Sequence, residues 1–331
     1  MDKSGSEINT FSENIPQEIV SYLKLVGQKE LSGGLRCITK EHDLRCKVIV
    51  KQGNLEEFRK QKAYVDGLSL QFQSIFPKIL YVGESENSGL MILEFIEGCS
   101  LHEYIFSTHY DFDLKCQALE NSLRLLLELH QSENFDLIQF IDSNQYLDSI
   151  SERINVGGCN PFEISNYVEL RAKLSRQFNR FIYQARPIHG DAQCGNLIVE
   201  KFLPGSIRMI DPLGGSAKSP GDWTYDISRF FHWVASAGIA YEIENSRDFE
   251  FELKFNSYAR VRSEISELVI KVLKDQAKRH SDQQAELRFW LHNAFHLSGK
   301  LNNFRQELSQ SLIMAEIKNS FIEIERLLNE I

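Results

Sequence analysis

The chain has 331 residues and a mass of 38.3 kDa, with 46 Asp and Glu against 37 Lys and Arg, a formal net charge of −9. With 42% hydrophobic and 25% charged residues it has an ordinary globular composition, which sets aside disordered, collagen-like and coiled-coil classes. The length predicts two domains or lobes, each with a core, and the acidic balance argues against a nucleic-acid binder that works by neutralising phosphates.

The N-terminal run MDKSGSEINTFSENIPQ is polar, with no basic start followed by an apolar core, so no signal peptide is expected. Residues 17–26 carry apolar side chains at helical spacing. The texture then changes. Leu31-Ser-Gly-Gly-Leu35 reads as a glycine turn, and Arg36 to Thr39 and Arg45 to Lys51 as short strands around a turn at Glu41-His42-Asp43. Leu55 to Leu68 predicts a helix with Leu55, Phe58, Val65 and Leu68 on its apolar stripe. Two more strands are expected at Lys78 to Val82 and Leu90 to Ile96.

After Gly98 the pattern is helical. Leu119, Leu123, Leu126, Leu127 and His130 share one helix face, and a further helix is predicted near 165–184. A short β segment brackets 197–210, and helices follow at 224–241, 257–279, 284–298 and 307–330. A strand-rich lobe over 1–94 and a helical lobe over 95–331 make an α+β protein, hinged at Glu94-Phe-Ile-Glu-Gly98. The most apolar stretch, 230–241, is too short to span a bilayer and is interrupted by His232. Cys37, Cys46, Cys99, Cys116, Cys159 and Cys194 show neither CxxC pairing nor zinc spacing. They read as free thiols in a reducing compartment, and a cytoplasmic location is expected.

The chemistry concentrates in Ile188-His189-Gly190-Asp191-Ala192-Gln193-Cys194-Gly195-Asn196, which leads directly into the apolar run Leu197-Ile-Val199. Asp191 stands five positions before Asn196, and twenty positions after Asp191 another apolar run ends in Asp211. A hairpin between them would bring Asn196 and Asp211 together. An amide oxygen and a carboxylate are hard donors suited to Mg²⁺, which keeps few protein ligands beside water and phosphate oxygens. Asp191 would stand next to the metal, able to take a proton.

HGDAQCGNLIV, then MID, then GDWTYDISRF resembles the aminoglycoside phosphotransferase/choline kinase family. The resemblance is strong over 188–230, weaker in the first lobe, and one of type only in the C-terminal helices. It implies a bilobal protein-kinase-like fold and ATP-dependent phosphoryl transfer to a small-molecule hydroxyl of a sugar, amino sugar or amino alcohol. By this resemblance Asp191 is the catalytic base, Asn196 and Asp211 hold Mg²⁺ on the nucleotide phosphates, His189 packs, and Asp226 begins a helix that braces the catalytic loop. Val48-Ile-Val-Lys51 resembles the strand that ends in the phosphate-contacting lysine, and Lys51 is preferred over Lys47 because the apolar run precedes it. Ser32, Gly33 and Gly34 match the turn over the phosphates, where missing side chains let backbone N–H groups approach anionic oxygens. The backbone at Glu94 and Ile96 would meet the adenine edge.

The sequence departs from the family in three places. The glutamate that pairs with the lysine has no clear counterpart: Gln61 lies nearest that position and Glu57 one turn earlier. Asp211 is followed by Pro-Leu-Gly. Gln193 stands where a histidine is common. Only ten residues separate Asp211 from Asp222, and no Ala-Pro-Glu follows, which leaves little room for the activation segment of a protein kinase. A non-catalytic nucleotide-binding scaffold is the other alternative. Trp223 and Trp233 read as core aromatics, and His292 and His296 as satisfied histidines rather than metal ligands. The run Glu242, Glu244, Asp248, Glu250 and Glu252 reads as a solvated face, or as an acidic wall for a cationic acceptor.

Overall fold

The computed structural model describes residues 28–31, 35–39, 47–85, 88–133, 137–156, 167–203, 205–213, 219–245 and 248–330. They form an α+β protein in which antiparallel strands occupy the N-terminal part and helices most of the rest. Two compact units divide the chain, Met1–Glu97 with Arg208–Ile210, and Gly98–Ile207 with Asp211–Ile331. The helix expected over 17–26 and the turn Ser32-Gly33-Gly34 lie outside the described residues.

The first unit is built on β1 (Gln28–Leu31), β2 (Leu35–Thr39), β3 (Lys47–Gly53), β4 (Ile79–Ser85) and β5 (Ser88–Glu94). They make one antiparallel sheet in the order β1-β2-β3-β5-β4. The β-branched run Val48-Ile-Val50 suits its place beside β5, where Ile49 faces Leu93 and Lys51 faces Met91. Because side chains alternate, Ile49, Lys51, Met91 and Leu93 share one face of the sheet. Helix α1 (Leu55–Gly67) covers the cluster, with Phe58 packed on Met91 and Leu93 and flanked by Ile49, Ile79 and Val82. Asn54 starts that helix by accepting from the Glu56 and Glu57 N–H groups at 2.9 and 3.3 Å. The single turn α2 (Leu70–Gln73) follows. Residues 208–210 belong to this unit: Met209 N donates to Ile75 O at 2.8 Å and Arg208 Nη2 to Phe76 O at 2.7 Å.

The second unit runs in chain order through β6 (Gly98–Ser100), α3 (Leu101–Phe106), α4 (Phe112–Gln131), β7 (Ile138–Asp142), α5 (Ser143–Val156), α6 (Tyr167–Gln177), β8 (Arg180–Gln184), β9 (Leu197–Glu200), β10 (Ile207–Met209, which crosses into the first unit), α7 (Trp223–His232), α8 (Gly238–Asn245), α9 (Asp248–Arg279), α10 (Ala285–Ser298) and α11 (Glu307–Glu330). Strand β6 pairs with β9, and a Cβ on Gly98 would lie 2.1 Å from Val199 O, so only glycine fits there. Ser100 and Glu103 close a capping box at the start of α3. In α4 the predicted stripe is buried through Leu119, Leu123, Leu126 and Leu129, while Leu127 is half-buried. Helices α7 and α10 are buried over most of their lengths and form the centre of the unit.

Two sequence expectations are corrected. The helix predicted over 165–184 ends at Gln177, and Arg180–Gln184 is instead β8, antiparallel to β7. The helix predicted over 224–241 changes to a π turn at Trp233–Ala237 before it resumes as α8. Among the described residues no helix is long and apolar enough to cross a membrane, and Cys99, Cys116 and Cys194 are free thiols.

Candidate active site

The site is set by the start of α7. Asp222 caps the helix, accepting from Thr224 N at 3.1 Å and Thr224 Oγ1 at 2.9 Å. Its carboxylate also meets the buried Arg288 guanidinium at 2.8 Å and His292 Nε2 at 3.0 Å. Burial alone would raise the Asp222 carboxyl, but Arg288 and His292 hold it well below the ordinary carboxylate range. One turn into the helix, the buried Asp226 accepts from His189 N at 2.6 Å and Gly190 N at 2.8 Å, and His130 Nε2 lies 3.1 Å away. The brace expected of Asp226 is thus a pair of backbone hydrogen bonds, while Asp222 is the residue that begins the helix.

Those bonds shape the loop that presents Asp191. Gly190 has φ +80°, a left-handed conformation that explains the glycine of His-Gly-Asp. His189 is fully buried, and its Nδ1 accepts from Asp191 N at 3.2 Å. A 3₁₀ turn, Cys194–Asn196, returns the chain so that Asn196 Nδ2 donates to Asp191 O and to Asp191 Oδ2, both at 2.9 Å. Both amide protons are engaged there, so Oδ1 is the Asn196 atom left to bind a cation. The Asp191 side chain is 17% exposed, open enough to meet a ligand.

Asp211 follows β10 directly, at the head of a tight turn. It has φ +56° and Leu213 has φ +60°, conformations that cost about 1–3 kcal/mol each in non-glycine residues and concentrate at functional sites. Leu213 N donates to His189 O at 2.5 Å, which ties this turn to the Asp191 loop. The structure therefore joins Asp191 to Asn196 through the amide, and the Asp211 turn to the same loop through His189.

Three cations were not read from the sequence: Arg229 on Asp191, Lys300 on the same loop, and Arg153 beside Gly299. Arg229, one helical turn beyond Asp226, places Nε and Nη2 each 2.7 Å from Asp191 Oδ1. The i, i+3 spacing from Asp226 was the signal available for it. Lys300, just past α10, has Nζ 3.5 Å from Gln193 Oε1 and 5.2 Å from the Trp233 ring centre. Burial first, then the charge of Arg229, lowers it to about 8. Arg153 on α5 stacks 3.8 Å over Phe295 and donates to Phe295 O at 3.0 Å. Nothing in the local sequence marks Lys300 or Arg153.

In the first unit, Lys51 is buried at 9% exposure, and burial lowers it to about 8. Glu57 is exposed and Gln61 half-buried. Glu94 N donates to Lys78 O at 2.9 Å, and its carboxylate accepts from Lys78 N at 3.0 Å. An adenine contact at this segment would therefore fall to the Glu94 carbonyl and to Ile96. Ser32, Gly33 and Gly34 are outside the described residues.

The acidic run is neither a solvated face nor a wall where it is described. Glu242 is buried against His102 Nε2 at 2.9 Å, and Glu244 accepts from Arg305 N and Gln306 N at 2.9 and 2.6 Å. His292 is spent on Asp222. Burial and the charge of Arg229 keep the buried His296 well below its ordinary value, and among the described residues no group of three or more His, Cys, Asp and Glu is placed to hold a metal. Trp223 and Trp233 are buried, as read from the sequence. A cavity of about 190 Å³ beside α7 is lined by Tyr146, Tyr183, Ile188, Tyr225 and Phe295. A larger one of about 640 Å³ lies along β7 and β8 and includes none of Asp191, Asn196 and Asp211.

No protein-family model matches the sequence, and no curated protein matches it either. Solved structures give fold-level likenesses. The chain is similar to the ADP-bound aminoglycoside phosphotransferase APH(2'')-Ib at 14% identity and a TM-score of 0.46, over 98% of this chain and 99% of that one. It is similar to APH(2'')-IIa in a ternary complex with streptomycin and ATP at 14% identity and a TM-score of 0.46, over 97% and 99%. It is also similar to the aminoglycoside phosphotransferase APH(3'')-Id of Streptomyces rimosus at 14% identity and a TM-score of 0.43, over 89% and 98%.

Proposed function

We propose that this chain is an ATP-dependent phosphotransferase that moves the γ-phosphoryl group to a hydroxyl of a small molecule. The observation that carries the reading is the Asn196 amide bridging the Asp191 carbonyl and carboxylate, on a loop whose backbone is held by Asp226. Asp191 accepts the proton of the acceptor hydroxyl as its oxygen attacks the γ-phosphorus, and the bond from phosphorus to the ADP oxygen breaks. Arg229 brings two N–H groups to Asp191 Oδ1 and Asn196 one to Oδ2, three of a carboxylate's roughly four acceptor sites, so one site on Oδ2 remains for the proton. Phosphoryl transfer asks for positioning more than covalent help, which suits a base fixed from both sides.

The donor set around the loop fits Mg²⁺: Asn196 Oδ1 is turned away from Asp191, and Asp211 brings a carboxylate on a turn anchored to His189. When bound, Mg²⁺ neutralises charge on the nucleotide phosphates. In the first unit, Lys51 and the backbone at Glu94 and Ile96 are the residues proposed to bind ATP, its phosphates and its adenine respectively, with Ser32-Gly33-Gly34, outside the described residues, proposed as the phosphate turn.

ADP release measured across a panel of hydroxyl acceptors tests the reading. Turnover with at least one acceptor is expected. Thermal stabilisation by ATP and Mg²⁺ with no ADP release from any acceptor would leave a nucleotide-binding protein instead.

Lys51 adds a pH signature. Near pH 8 it is part neutral in the free protein, because burial disfavours its charged form. A bound polyphosphate favours that charged form, so binding ATP raises the Lys51 pKa and takes up a proton. Affinity then falls as pH rises through 8. Calorimetry in two buffers of different ionisation enthalpy should show uptake at pH 8, abolished by Lys51→Met. Equal uptake in the variant would detach Lys51 from the phosphates.

A further inference from the structure

We infer that Lys300 and Arg153, with Arg229 holding Asp191, form an anion subsite, so that the acceptor carries a carboxylate or phosphate group beside the hydroxyl it offers. This deepens the proposed function and rests on it for the identity of the reaction, though not for the binding of the anion.

The inference comes from a local charge census in a chain whose net charge is −9. Three elements bring cations together: α7 with Arg229 on Asp191, the end of α10 with Lys300 on Gln193, and α5 with Arg153 at the turn before Lys300. The Arg153 guanidinium reaches the turn before Lys300, where its Nη1 lies 3.2 Å from the position a Cβ on Gly299 would take. The acids of the same region are already committed. Asp226 accepts from the His189 and Gly190 N–H groups. Asp222 is held by Arg288 and His292. Glu242 is buried against His102. Glu152, next to Arg153, is exposed. The buried His232 and His296 are held well below their ordinary range, by burial first and then by Arg229, so they add no charge near neutral pH.

Asp191 is thus the carboxylate that faces Arg229 and acts on Lys300, and Arg229 and the Asn196 amide already engage both its oxygens, while the acid beside Arg153 is the exposed Glu152. Among the described residues no carboxylate lies within ion-pair distance of Lys300, whose hydrogen-bond partner is the neutral Gln193 amide at 3.5 Å. The one carboxylate acting on Lys300 is Asp191, whose oxygens are already engaged, so a half-buried ammonium with no direct ion pair is better satisfied by an anionic ligand. The tyrosine-lined cavity beside α7 could suggest a cage for an ammonium group. Its only carboxylate, Asp222, is taken by Arg288, and Arg153 stacks on Phe295 of its lining. A cationic acceptor would meet repulsion there.

The test compares a hexose, its 2-amino derivative, its aldonic acid and its 6-phosphate, both as acceptors by ADP release and as ligands by calorimetry without nucleotide. One of the two anionic members should show the highest kcat/KM and the amino derivative the lowest. Lys300→Gln should lower the ratio of anionic to neutral kcat/KM about ten-fold, the scale of one charge-assisted hydrogen bond. It should weaken calorimetric binding of the anion by a similar factor. The aldonic acid and the 6-phosphate separate carboxylate from phosphate recognition. Preference for the amino or neutral hexose would overturn the inference. So would an equal loss on all acceptors in Lys300→Gln, which would assign the lysine to the transferred phosphoryl group. Anion binding that depends on Lys300, with no ADP release from any acceptor, would keep the subsite and remove the phosphotransferase reading.

Discussion

Asp191→Asn should bind ATP with wild-type affinity and transfer its phosphoryl group about 10²–10⁴-fold more slowly, the usual contribution of a positioned general base. The amide has the shape of the carboxylate but no basic oxygen to take the acceptor proton. Its local cost is small. Asn196 keeps its 2.9 Å bond to the residue 191 carbonyl, and one oxygen still answers Arg229. Of the three N–H donors now at the carboxylate, Asn196 Nδ2 loses its acceptor there, so a modest fall in melting temperature is expected. The decisive reading is kcat under saturating acceptor with nucleotide affinity measured separately. A variant with wild-type kcat would show that Asp191 takes no proton. One that had lost ATP binding as well would point to a structural role.

The largest effect on stability is expected at Asp222. Asp222→Ala removes the partner of Arg288, whose side chain is fully buried, and leaves Asp282 as its remaining carboxylate. Breaking a buried pair from one side typically costs about 3–5 kcal/mol, because the surviving charge cannot replace the lost partner with water; with Asp282 still paired to Arg288, a loss toward the lower end of that range is expected. The α7 N-cap is lost in the same substitution. The loss should appear as a lower denaturant midpoint with an unchanged slope. Because α7 carries both Asp226 and Arg229, the Asp191 loop should loosen as well, and Asp222→Asn, which keeps the cap but not the charge, should fall between. A loss of under about 1 kcal/mol in the alanine variant would mean that the Arg288 pair adds little to the fold.

The contrast between these residues shows what the sequence could carry. Asp191, Asn196 and Asp226 come from one stretch that carries the family resemblance, and the structure ties Asn196 to Asp191 and Asp226 to the loop backbone between them. The glycine in His-Gly-Asp was legible for the same reason, and its φ of +80° supplies the physical cause. Strand β8 was missed because its alternation is short and inverted in polarity: Phe181 is buried, Ile182 is 59% exposed, and Phe140 and Ile138 on β7 are exposed too. A strand with apolar residues on both faces does not separate from the helix before it. The π turn at 233–237 falls in a run buried on every side, where no period is visible. Lys300 and Arg153 acquire meaning only when α5 and α10 pack around α7, and no spacing along the chain encodes that. The acidic run from Glu242 misled for the converse reason, since its charges looked collective while Glu242 and Glu244 serve separate partners.

On the proposed function, Asn196 and Asp211 would act as oxygen donors to the metal of a nucleotide, with Asp191 as base. Water-proton relaxation with Mn²⁺ and ATP measures this directly. The wild type and Asp191→Asn should form the ternary complex equally well, and Asp211→Ala should bind the metal nucleotide at least about ten-fold more weakly. Undiminished Mn²⁺–ATP binding by a folded Asp211→Ala variant would contradict it.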